Sequence, residues 1–95
     1  MSAANPVTKR IVIGGRVQGV GFRYALADLA RSRALSGWVR NRRDGSVEAV
    51  VCGALPDVDA LVAWARNGPP AAHVAWVEVE MTEGKFESFE IVESE

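Results

Sequence analysis

The sequence predicts an α+β sandwich of the ferredoxin-like kind: two helices packed on one face of an antiparallel sheet, in the order βαββαβ with a short final strand. Three observations predict it. The chain has 95 residues, enough for one two-layer core and too few for two domains. Apolar residues follow the two-residue period of strands over most of the chain, but take up the helical period after Gly21 and again after Pro56. Between two of the strand-like runs stands Asp44-Gly45, a strong hairpin signal that makes the middle strands antiparallel. Sheet and helices then bury their apolar faces against each other.

Residues 1–8 are small, polar and proline-containing, which suits a flexible tail, and residues 9–95 form the single domain. Strand one runs from Lys9 to Ile13, with Ile11 and Ile13 on one face. The first helix follows Gly21 and carries Phe22, Leu26, Leu29, Ala30 and Leu35 on its buried side, with Asp28, Arg31 and Ser32 opposite, before Ser36 and Gly37 end it. Strand two begins at Trp38 and reaches Asn41; strand three returns from Ser46 to Cys52. Pro56 suits a first helical turn, Asp57 and Asp59 favour the positive end of the helix dipole, and Val58, Leu61, Val62 and Ala65 form the buried stripe. Gly68-Pro69-Pro70 stops this second helix. In strand four Val77, Val79 and Met81 face inward and Glu78 and Glu80 outward; the last strand buries Phe89 and Ile91.

The formal net charge of −1 argues against a general polyanion binder, since nucleic-acid modules carry a basic excess. Its distribution is uneven, with arginines gathered in the first half and glutamates in the last stretch. One cysteine, Cys52, and one histidine, His73, exclude a disulfide within the chain and make a Cys/His zinc site implausible, so chemistry without metal or cofactor is expected. Cys52 reads as a small core residue and His73 as a surface or rim residue. Trp38, Trp64 and Trp76 lie on separate elements, which favours packing over base stacking. No apolar run approaches the roughly 18 residues of a membrane span, and no signal-like segment opens the chain; a cytoplasmic protein with no membrane or nucleic-acid partner is expected.

The feature that fold alone does not explain is the run GGRVQGVGFR at 14–23, with four glycines and two arginines. It lies between a strand and a helix, where backbone N–H groups converge near a helix N-terminus and Arg23 can add a guanidinium fork for phosphate oxygens. Known nucleotide loops do not fit. A Walker loop starting at Gly14 requires lysine where Val20 stands and Ser or Thr where Gly21 stands, and a Rossmann fingerprint starting at Gly19 meets Tyr24 in place of its last glycine. The plain alternative is a tight turn beside a solvated arginine.

GRVQGVGFR at 15–23, GWVRNRRDGSVE at 37–48 and GPPAAHVAWVEV at 68–79 together resemble the acylphosphatases, over roughly Lys9 to Ile91. The resemblance implies a ferredoxin-like fold and metal-independent hydrolysis of acyl phosphates to a carboxylate and inorganic phosphate. It puts the phosphate-binding loop on Gly15, Arg16, Val17, Gln18, Gly19, Val20, Gly21 and Phe22, the phosphate-binding arginine on Arg23 and the water-orienting asparagine on Asn41. Two departures stand out: FEIVESE at 89–95 lacks the basic residue that often follows the last F-x-I, and Arg42-Arg43 adds charge beside Asn41. The catalytic positions are untouched.

That residue set is chemically sufficient. The leaving group is a carboxylate, stable at neutral pH, so a general acid is dispensable; what remains is to place water in line and stabilise phosphoryl charge. The Asn41 carboxamide accepts a hydrogen bond from water but cannot serve as a base. Asn41 comes near the loop if strand two lies against strand one. Arg40, Arg42 and Arg43 are expected to form a solvated basic edge that attracts the anionic substrate. A monomer of broad acyl specificity is expected; the rival is a non-catalytic module that holds a phosphate-bearing ligand or RNA.

Overall fold

The structure, a computed structural model, describes residues 5–95. Its elements are β1 (Val7–Arg16), α1 (Phe22–Ser32), β2 (Ser36–Asn41), β3 (Val47–Gly53), α2 (Leu55–Ala65), β4 (His73–Met81) and β5 (Phe89–Ile91). β1 is longer than expected at both ends. Val7 and Thr8, β-branched residues assigned above to the tail, pair with Gly53 and Cys52, while Gly14, Gly15 and Arg16 continue the strand along β4.

The strand order is β4-β1-β3-β2-β5. β3 therefore separates β2 from β1, contrary to the condition set for bringing Asn41 to the loop. All pairs are antiparallel except β2 with β5, which is parallel. The cause is the connection after β4: Thr82 N–H donates to the Thr8 carbonyl at 3.0 Å, and Gly37 N–H to the Ser88 carbonyl at 2.9 Å. This segment crosses the end of the sheet remote from the glycines and delivers β5 to the opposite edge. There Arg31 of α1 fastens it, donating two hydrogen bonds, of 3.1 and 2.8 Å, to the Phe89 carbonyl.

Alternation puts Ile11, Ile13, Val39, Val47, Ala49 and Val51 on one sheet face, fully buried under Phe22, Leu26, Ala27 and Ala30 of α1 and Val58, Leu61, Val62 and Ala65 of α2. The inward assignment fails for the end of β4, where Val79 and Met81 are exposed. β4 is an edge strand, and the helices pack chiefly on the other four strands. Cys52 is half-buried on the outer face with Glu48 and Val50 instead of in the core.

α1 stops at Ser32, short of Leu35, for a local reason. Ala34 has φ 56°, its N–H donates to the Arg31 carbonyl at 3.2 Å, and Leu35 N–H donates to the Ala30 carbonyl at 2.9 Å. This is a Schellman close, with Leu35 and Ala30 both buried in the core, and its left-handed position ordinarily takes glycine. Ala34→Gly is therefore expected to stabilise the fold by about 0.5–1 kcal/mol, raising the melting temperature by a few degrees in a thermal unfolding scan.

The outer sheet face, uncovered by helices, is held by charge. Glu48 is buried and accepts 2.7 Å hydrogen bonds from Nε of Arg10 and from Nε of Arg40; Arg10 also reaches Glu80 at 3.0 Å. Burial pushes the Glu48 carboxyl up, but the hydrogen bonds and charges of the two arginines outweigh it and hold the group below its ordinary 4.5. A carboxylate with a depressed folded pKa contributes stability above its ordinary value, and that stability is lost as the pH falls through the folded pKa. Acid unfolding of the wild type should thus steepen below about pH 4.5. Glu48→Gln should flatten that acid dependence and cost about 2–3 kcal/mol at neutral pH in urea titrations, less than a fully buried pair because both arginines are partly hydrated.

Candidate active site

The glycine run answers to several neighbours. Gly14 lies flat in β1 because the indole of Trp76 rests on it: a Cβ there would fall 2.0 Å from a ring carbon. Gly15, at φ 120°, sits where the β1–β4 register shifts, and its Cβ would strike the His73 carbonyl oxygen at 2.3 Å. Gly19 (φ 72°) and Gly21 (φ 81°) are different: both are left-handed, both exposed, and a Cβ on either would meet nothing within 4 Å. Only these two line an open concavity, a cavity of about 230 Å³ formed with Val17, Phe22, Arg23 and Tyr24.

Within the expected binding stretch, roles divide by element. Gly15 and Arg16 belong to β1, with Arg16 exposed opposite His73. Val17 and Phe22 bury their side chains completely and peg the two ends of the loop to the core, Phe22 against Trp64 at 5.3 Å between rings. Val20 packs at the core margin. What these residues offer an anion is backbone. α1 opens at Gly21 with no side-chain cap and no acidic residue in its first turn. The N–H groups of Phe22, Arg23 and Tyr24 consequently lack intrahelical partners at the positive end of the helix dipole. Arg23 stands among them, half-exposed and with no ion pair among the described residues; its guanidinium lies 5.8 Å from the Tyr24 ring centroid.

Asn41 reaches this end of the sheet without β2 touching β1. Asn41 pairs with Val47, and Val47 pairs with Ile13, so the asparagine lies level with the strand end that feeds the loop and on the helix-facing side. Gln18 closes the gap. Its side-chain amide donates to the Arg42 carbonyl at 2.8 Å and to the Ser46 carbonyl at 2.9 Å, tying the loop to the β2–β3 turn that follows Asn41. The turn itself is firm: Gly45 N–H donates to the Arg42 carbonyl at 3.1 Å, and Asp44 accepts from both the hydroxyl and the N–H of Ser46. The Ser46 hydroxyl and then its N–H hold the Asp44 carboxyl below the usual range. Asn41 Oδ1 is buried and has no hydrogen-bond partner among the described residues.

With this geometry in view, the family model for acylphosphatase matches residues 9–91. The chain belongs to the acylphosphatase family. It is 54% identical over 83 residues to an acylphosphatase of Cupriavidus necator, covering 87% of this chain and 90% of that protein. The fold is similar to the solved structure of an acylphosphatase from Coxiella burnetii, with a TM-score of 0.89 at 34% identity, covering 93% of this chain and 94% of that one. It is also similar to part of full-length HypF solved in a phosphate- and nucleotide-bound form, with a TM-score of 0.88 at 30% identity; the match covers 95% of this chain and 12% of HypF.

Two features of this acylphosphatase domain escape sequence reasoning. The expected basic edge is largely neutralised: Arg40 is committed to Glu48, and Arg42 lies 3.9 Å from Asp44 and 4.0 Å from Glu95. Glu95 arrives because the chain beyond β5 follows β2, with its N–H donating to the Asn41 carbonyl at 2.9 Å. The second feature is Tyr24, a large aromatic at the cavity mouth; its signal in sequence is a position in the first helical turn off the apolar stripe.

Proposed function

We propose that the chain hydrolyses acyl phosphates by holding the phosphoryl group between Arg23 and the N–H groups of the Gly15–Phe22 stretch, while Asn41 orients the attacking water. The observation that carries this reading is the Asn41 carboxamide oxygen, buried without a partner just before the turn that Gln18 ties to the anion loop. An acceptor left unsatisfied in a folded protein calls for a role, and a water donating to it keeps its oxygen lone pairs free, one of them for phosphorus.

The water oxygen forms a bond to phosphorus as the bond from phosphorus to the acyl oxygen breaks. The electron pair leaves on the carboxylate, and the water's proton passes to a phosphate oxygen or to solvent. Arg23 and the helix N-terminus act on the charge of the three non-bridging oxygens, where preorganised donors are most effective. Gln18 is a positioning residue that keeps the asparagine and the cradle in one frame. The protein works as a monomer on a small soluble anhydride, with inorganic phosphate as the released product.

The test is phosphate release from benzoyl and acetyl phosphate by the purified chain. Turnover is expected with either substrate and is expected to be unchanged by a chelator. Folded protein with no release above background would refute the enzyme reading, and turnover abolished by chelation would refute the metal-free mechanism.

A further inference from the structure

We infer that Tyr24 is the wall of an acyl-group subsite and makes aromatic acyl phosphates the preferred substrates of this chain, an inference that rests on the phosphate site proposed above. Tyr24 plays no part in packing α1, whose buried residues are Phe22, Leu26, Ala27 and Ala30, and its ring is 63% exposed. It nevertheless lines the same cavity as Gly19, Gly21 and Arg23. With the Arg23 guanidinium 5.8 Å from the ring centroid, a phosphate held by that arginine has the ring as its neighbour.

The direction of the reaction supplies the second argument. In-line displacement sets the leaving group opposite the attacking water. Asn41 Oδ1 is buried at the helix-facing end of β2, so a water held by it, as in the proposed mechanism, lies on the protein side of the phosphate. The acyl group must then leave through the open mouth, where Tyr24 stands. Space is no obstacle: the cavity holds about 230 Å³, and a phosphoryl group displaces only a few times the roughly 30 Å³ share of one water. A benzoyl ring can stack offset on Tyr24, whereas an acetyl methyl covers little of it.

The experiment compares kcat/KM for benzoyl phosphate and acetyl phosphate, and inhibition by inorganic phosphate, in wild type, Tyr24→Ala and Tyr24→Phe. Tyr24→Ala should lower the benzoyl-to-acetyl ratio about fivefold, equivalent to ~1 kcal/mol, chiefly through a raised KM for benzoyl phosphate. Tyr24→Phe should keep the wild-type ratio. An unmoved ratio in Tyr24→Ala, with the wild type active on both substrates, would overturn the subsite and leave the phosphate site standing. Equal losses on both substrates together with weaker phosphate inhibition would also overturn it, because the ring would then serve Arg23 alone. A wild type that hydrolyses neither substrate would overturn both readings.

Discussion

Arg23→Ala is expected to lower kcat/KM for benzoyl phosphate by about 10³-fold or more and to weaken competitive inhibition by inorganic phosphate in the same protein. The reasoning starts from charge. Arg23 is the guanidinium at the mouth of an uncapped helix and makes no ion pair among the described residues, so its fork is free for phosphate oxygens. Alanine leaves the backbone donors of the first turn in place, and these keep a weak anion site. Arg23→Lys should recover only part of the loss, because a point charge lacks the planar, two-pronged match. Steady-state rates with a phosphate inhibition constant check both halves. Near-normal phosphate inhibition in Arg23→Ala would remove the arginine from the cradle.

For Asn41→Ala the expected pattern is the reverse in one respect: kcat falls about 10²-fold while inorganic phosphate inhibits almost as before. In the proposed mechanism binding and rate separate, because there the asparagine addresses the water and the cradle addresses the phosphoryl group. Stability should change little, since the lost carboxamide oxygen has no hydrogen bond among the described residues to give up. A variant with near-full rate would show that the water is oriented by something else. One whose phosphate inhibition collapses along with its rate would place Asn41 in the cradle instead.

Much of this architecture is legible in the amino-acid sequence. Period two in β1 through β4, the shift to the helical period after Gly21, and Asp44-Gly45 each reflect a local rule that the fold obeys. The misjudged parts depend on neighbours distant in sequence. Val79 and Met81 alternate as core residues do, but burial requires a helix above them, and their strand is at the edge. Gly14 reads as a loop glycine until Trp76, sixty-odd residues later, is found lying on it. Arg40 reads as solvated charge until Glu48 is seen between it and Arg10. At the candidate site the motif supplies the proposed cradle residues and Asn41, but not the contact that ties the two segments together. Strand order put β3 in the way, and one glutamine side chain spans the gap.

That strand order has a bearing on when the protein acquires a site during its synthesis and folding. Of the four strand pairings among the described residues, only β2 with β3 joins consecutive strands; β1 must wait for β3 and β4, and β2 for β5. The loop between β1 and α1 can exist early in the emerging chain, but its relation to Asn41 cannot, because the strand that mediates it has yet to insert between them. Closing such loops is costly in chain entropy and slow. Regained turnover after dilution from denaturant therefore reports the completed sheet, where helix signal alone would report something less.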